Sequence, residues 1–214
     1  MHAHMRVLLV STLVAGGLSS AAHAATVEVN KLVGKQAAAS FSGTARIKCA
    51  NKTFGTLTAF GFLSASQTIT KTTGTPRTVD NGVFVEISYT NSCTGASLSF
   101  ADGSVPNGFT PPDAHLNSAG ADGTTVAQDP ASGGTVTVGL DVVFEGFGPI
   151  TAEKSNTKTK TTGPVTITIT RDAAASRAAD ASGTITVAGV PVTMTFTTVT
   201  LSDHANQTIT ITKN

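Results

Sequence analysis

A period of two runs through most of this chain. "PVTITIT" at 164–170 places threonine at every second position, and the alternation returns in "TVTV" (135–138), "TITV" (184–187), "MTFTTVT" (194–200) and "TITIT" (208–212). Side chains alternate between the two faces of an extended strand, so each run presents one aliphatic face and one hydroxyl face. Threonine's branched β-carbon suits the pleated backbone, and its hydroxyl tolerates water. The pattern predicts amphipathic strands, with Val165, Ile167 and Ile169 turned to a core and Thr166, Thr168 and Thr170 to solvent. A threonine array of the ice-binding kind needs rungs at constant spacing, and no fixed-period repeat runs through the chain.

Alternating runs also fall near 26–33, 41–49, 54–63, 66–73, 82–90 and 95–100, with a second set near 134–144, 164–171, 182–187, 190–201 and 207–212. Turn signals separate them, among them "DNG" (80–82), "CTG" (93–95), "SGG" (132–134) and "TTG" (161–163). The expected fold class is all-β. It is an antiparallel β-sandwich or sandwich-like barrel of roughly ten or more short Thr/Val-rich strands, with little helix. A membrane barrel would need an apolar outer face and aromatic girdles, whereas here the second face is threonine and aromatics make up 5% of the chain. The ten phenylalanines are expected in the core.

Two stretches break the alternation. Residues 102–134 are rich in Gly, Pro, Asn and Asp and read as a long loop, of the kind that is usually functional, disordered or a linker. The domain expectation is a single all-β unit over 25–214 containing that loop; the alternative is two small β-domains, 25–105 and 134–214. "RDAAASRAADASG" (171–183) favours helix by alanine propensity, but strands flank it, and it reads as a strand of small side chains.

The first 24 residues carry Arg6, an apolar run from Val7 to about Leu18, and the small-residue pattern Ala22-His23-Ala24. That is the anatomy of a secretory signal peptide, too short and wrongly flanked for a membrane span. The expectation is export to the periplasm or the medium, with cleavage after Ala24. Arg6 leaves with the leader, so thirteen bases then face thirteen acids. A balanced chain has no general attraction to nucleic acid or anionic membranes. Cys49 and Cys93 each continue the apolar side of a strand, with Ile47 beside the first and Val83, Val85, Ile87 and Tyr89 leading to the second. In an oxidising compartment such a pair predicts a structural disulfide.

Groups capable of chemistry are sparse. Asp113 and His115 in the 102–134 stretch, with Asp203 and His204 in "SDHANQ", are the weak candidates for a metal site or a base-and-orienter pair. No HExxH or GxSxG pattern accompanies them. Asp122, Gly123 and Asp129 lack the dense Asx ladder of a calcium loop. Glu86, Asp141, Glu145 and Glu153 are the carboxylates from which a glycosidase pair would be drawn, without tryptophan to hold a sugar ring. "KSNTKTK" (154–160) sets Lys154, Lys158 and Lys160 on one side, as an anion patch or a lysine-protected edge strand. The expectation is an exported non-enzymatic protein without cofactor, acting on a protein or cell-surface ligand. The alternatives are a secreted hydrolase built on Asp113 and His115, or a structural matrix or fibre subunit.

Overall fold

The computed structural model describes residues 26–213 apart from 30, 73–74, 154, 156, 171–172 and 206–207. The leader and its cleavage site lie outside the described residues, as does Lys154. Every regular element described is a strand: β1 (Thr26–Val29), β2 (Lys31–Lys48), β3 (Phe54–Lys71), β4 (Thr78–Asn91), β5 (Ser97–Pro106), β6 (Phe109–Thr110), β7 (Ser118–Gln128), β8 (Thr135–Gly146), β9 (Thr151–Glu153), β10 (Thr157–Thr162), β11 (Val165–Thr170), β12 (Ala174–Val187), β13 (Val190–Ala205) and β14 (Thr208–Lys213).

The larger sheet runs β13-β2-β3-β4-β5-β7-β8-β12, and β12 pairs back onto β13, so eight antiparallel strands close a ring. The all-β expectation holds in its sandwich-like-barrel form. Closure is thin at one seam, where β5 and β7 share only the pair Asp102↔Gln128. Strands from both ends of the chain meet around one wall, since β13 pairs β2 from Met194↔Gly43 to Ala205↔Val33. Their inward residues form one buried cluster.

Alternation sets what faces inward. On β3, Leu57, Ala59, Leu63 and Ala65 are fully buried while Thr58, Phe60 and Phe62 face out. On β8, Val136, Val138, Leu140, Val142 and Phe144 are buried between exposed Thr135, Thr137, Asp141, Val143 and Glu145. Eight strands leave a bore that side chains just fill. Accordingly Ala37, Ala39, Ala59, Ala65, Ala101, Ala121 and Ala127 alternate with larger Leu57, Ile87, Phe144, Ile185 and Leu201. No described helix is long and apolar enough to cross a membrane. The outward faces of β7, β8 and β12 carry Asp122, Asp141, Glu145 and Asp180, which a lipid-facing belt disfavours.

The 102–134 stretch is not a long loop. It contains the end of β5, all of β6 and the eleven-residue β7. The inward side of β7 is built from Ala119, Ala121 and Ala127 rather than valine or isoleucine, so its alternation has little hydropathy contrast. The alanine-rich 171–183 stretch becomes the first part of β12, as a strand of small side chains.

The threonine stripe at 164–170 departs from expectation too. β11 lies outside the barrel in a four-stranded sheet ordered β1-β14-β11-β10. Ile167 is 36% exposed, and Val165 and Ile169 are only half-buried and outside the core cluster. This order mirrors the barrel neighbours β2-β13-β12-β9, and each small-sheet strand adjoins its counterpart in sequence across one to three residues. The small sheet thus extends three strands of the ring, β2, β13 and β12, together with β9, past one end.

At the opposite end the expected disulfide is present. Cys49 follows β2 and Cys93 follows β4, with Cα atoms 5.2 Å apart at a sequence separation of 44. β3 runs between those two strands, so the bridge must pass over it. It does so at Gly55, where an added β-carbon would lie 2.6 Å from the Cys93 sulfur and 3.1 Å from that of Cys49. Closing a loop of this length stabilises the fold by about 4 kcal/mol in the chain-entropy model.

Two contrasts test this architecture. Ile185→Ala, at a fully buried position, is expected to cost about 2–5 kcal/mol, whereas Ile167→Ala on the extension should cost less than about 1 kcal/mol. Denaturant melts compare them, and equal losses would contradict the placement of β11 outside the core. Gly55→Ala should cost about 1–3 kcal/mol with the bridge intact and less in a Cys49→Ser/Cys93→Ser background, where the crowding by Ser92 Oγ, also 2.6 Å away, remains. A loss unchanged by removing the sulfurs would mean that the bridge does not need the glycine.

Candidate functional site

The residues nominated for chemistry are first of all architectural. Residues 107–117 fold across the barrel end from which the extension leaves, and Leu116 is buried there completely. Three side chains hold the segment down. The Lys35 ammonium donates to Pro112 O at 2.5 Å. The Asn81 amide donates to Phe109 O at 2.7 Å and accepts from Phe109 N at 3.1 Å. The Arg177 guanidinium donates to the His115 carbonyl at 3.1 Å, to Asn117 Oδ1 at 2.7 Å and to Gly148 O at 3.1 Å.

Within this lid Asp113 is a turn cap. Its carboxylate accepts from Asn117 N at 2.9 Å, His115 N at 3.0 Å and Asn117 Nδ2 at 2.8 Å. The Asn117 N–H and side-chain amide, then the His115 N–H, hold the Asp113 carboxyl below the usual carboxylate range. The His115 side chain is exposed. His204 sits at the end of β13 with its ring laid flat over Gly34, where any β-carbon would collide with it. An open recess beside it is lined by Thr151, Glu153, Ser176, Ser202, Asp203 and His204, and neither Asp113 nor His115 contributes to it. No group of three or more metal-ligating side chains occurs among the described residues.

Asp129 is a second cap, at the disulfide end. The Ser132 hydroxyl donates to it at 2.6 Å and the Ala131 N–H at 2.8 Å, and these bonds hold its carboxyl below the usual carboxylate range. Asp122 lies on β7 directly opposite Asp141 of β8, and Glu145 opposite Asp180 of β12. The acids are spread over the outer wall. No buried side-chain nitrogen or oxygen among the described residues lacks a partner, so none is left waiting for a ligand.

The aromatic residues give a different picture. Only Phe41, Phe109 and Phe144 are buried and Phe196 partly so, while Phe54, Phe60, Phe62, Phe84, Phe100 and Phe147 are exposed. The expectation that phenylalanine fills the core is therefore wrong for most of the ten. The bore is too narrow for them, and alanine occupies it instead.

Four of the exposed rings gather on the outer wall of β3, β4 and β5. Phe60 and Phe62 are successive outward residues of β3. Phe62 pairs with Glu86 and Phe84 with Ser64, which makes the two rings diagonal neighbours within reach of each other. Phe100 enters from β5 at a bulge, where the register shifts between Ile87 and Tyr89. Its backbone is left-handed (φ 57°), and its N–H donates to the buried Ser88 hydroxyl at 3.0 Å. That conformation costs about 1–3 kcal/mol for a bulky residue, and a bulge re-aims the side chain it carries. Here the ring ends up 61% exposed.

Glu86 stands among these rings directly opposite Asp102 of β5. Like charges facing each other across strands are unfavourable, so strain, exposed aromatic area and opposed carboxylates coincide in one patch. Opposed carboxylates also occur at Asp122↔Asp141 and Glu145↔Asp180, and a left-handed backbone at Thr198, so what sets this patch apart is its exposed aromatic area. The alternation itself carries this signal: in "TAFGFLSA" the phenylalanines fall on the threonine and serine side. No protein-family model, curated protein or solved structure matches the chain.

The two capping carboxylates give the fold an acid limit. Both ionise more readily folded than unfolded, so their stabilisation is present above the unfolded value of about 3.9 and is lost as pH falls through the lower folded values. The Asp113→Asn/Asp129→Asn chain should melt at a temperature that varies less with pH below about 4 than the natural chain does. Melting curves taken from neutral pH into strong acid check this, and identical acid limbs would contradict it.

Proposed function

We propose that this is an exported binding protein that works by contact through the outer wall of β3–β5, and not an enzyme. The observation that carries the reading is the strained bulge at Phe100, which adds a fourth exposed ring to Phe60, Phe62 and Phe84. Contiguous exposed apolar patches rimmed by polar groups mark interaction sites in soluble proteins, and aromatic rings are enriched in interface cores. Glu86 and Asp102 supply the polar element and favour a partner with cations beside apolar side chains. The disulfide and the N-terminal apolar leader support an oxidising, exported setting. Against the hydrolase alternative stands the use of Asp113 as a cap and its separation from the recess at His204.

A photo-crosslinking amino acid, p-benzoylphenylalanine, incorporated in place of Phe62 in the source cells tests the reading. Adducts are expected at position 62 and not at Thr184, an outward position of β12. Absence of any adduct at 62, or equal adducts at both positions, would overturn it.

A further inference from the structure

The extension carries a second apolar surface, which among the described residues lies outside the core cluster. In register, Ile167 faces Ile211 on one side and Lys160 on the other, while Ile169 faces Ile209 and Lys158. Directly opposite residues share a face, so Ile167, Ile169, Ile209, Ile211, Lys158 and Lys160 form one side of this sheet. Thr159, Thr161, Thr166, Thr168, Thr210 and Thr212 form the other. The threonine side is knitted across strands, with Thr159 and Thr168 hydroxyls 3.4 Å apart and Thr161 and Thr166 hydroxyls 3.3 Å apart. None of the four isoleucines belongs to the buried core or is packed against it.

We propose that the isoleucine–lysine face of the extension docks on the β3–β5 wall of a second copy of this chain, joining molecules head to tail. The inference rests on the binding reading of that wall and names its partner. The two surfaces are chemical complements. One offers aliphatic side chains edged by Lys158 and Lys160; the other offers Phe60, Phe62, Phe84 and Phe100 around Glu86 and Asp102.

The symmetric alternatives are worse. Two extensions face to face would bring four lysines to one interface, and two aromatic walls would bring together two pairs of opposed carboxylates. Like-charge juxtaposition is unfavourable, and only the unlike pairing neutralises both sets. Such a heterologous contact does not close on itself unless its rotation happens to do so, and it otherwise propagates as a filament.

The extension is small. Three strands of six residues and one of four, about 4.8 Å apart, present a footprint on the order of 350 Å², against about 800 Å² per partner in a standard interface. The contact should therefore be weak, in the micromolar to millimolar range, and weakened further by salt.

Sedimentation velocity of the mature chain over a concentration series tests this. The natural protein is expected to gain average mass with concentration and lose it on adding salt. A wall variant, Phe62→Ser/Phe84→Ser, and an extension variant, Ile167→Ser/Ile169→Ser, should each remain monomeric alone. Mixed one to one they should form a heterodimer, because each retains the surface the other lacks. If the isoleucine variant fails to fold, Lys158→Glu/Lys160→Glu on the exposed β10 replaces it. A natural chain that stays monomeric into the millimolar range, a single variant that still self-associates, or a mixture without heterodimer overturns the proposal. If crosslinks at position 62 then join a different protein, only self-docking fails; if no crosslinks form, the binding reading fails with it.

Discussion

Closing eight strands into a ring fixes the width of the bore, and most of this molecule follows from that width. The interior has room for one layer of side chains from each strand and little else, so bulk at one level must be met by alanine at another. Phe144, Leu57 and Leu201 are accommodated because Ala37, Ala59 and Ala121 are small. Backbone groups around the ring are paired by the closed ladder, which is thinnest where β5 meets β7 at Asp102 and Gln128 and is interrupted by irregularities at Ala178/Thr184, Thr197/Thr200 and Ile87/Tyr89. A filled bore directs any recognition to the outer wall, to the barrel ends, or to strands that outrun the ring.

The two ends are closed by different means. At one, a covalent bridge joins the strands on either side of β3 and passes over it because residue 55 has no side chain. At the other, Leu116 fills the opening, and Lys35, Asn81 and Arg177 secure the lid by donating to its backbone carbonyls. The bonds to Pro112 O and Phe109 O are partly buried, and the one to His115 O lies at the surface. Asp113 does the same for lid N–H groups, so its place in the sequence beside a histidine reflects a turn requirement.

Much of the wall was legible in the sequence because hydropathy contrast was high. In "VFVEISY" the inner set Val83, Val85, Ile87 and Tyr89 is unambiguous, and the disulfide followed from Cys49 and Cys93 lying on the same side as such residues. β7 was hidden because alanine and glycine carry its inner face, and contrast between alanine and threonine is small. β11 was misread for a different reason. Alternation says that Ile167 and Thr168 face opposite ways, but it is blind to whether anything lies beyond the isoleucine. The aromatic wall failed on an assumption about residue type. Phe84 lies between Val83 and Val85 and must face outward, whatever the usual preference of phenylalanine.

The edge of the extension shows why association through its face is physically preferable to association through its backbone. β10 is an outermost strand of the small sheet, pairing only β11 among the described residues, and an open strand edge is a template for indefinite pairing. Lys158 and Lys160 lie on that strand, and lysine on an edge strand penalises a second edge brought alongside. Their ammonium groups also project from the isoleucine side, where a surface bearing carboxylates would gain from them. The same two charges therefore oppose irreversible edge-to-edge growth and favour a weak contact between faces. The threonine side offers no charge to either process, and its Thr159 and Thr161 hydroxyls pair with those of Thr168 and Thr166.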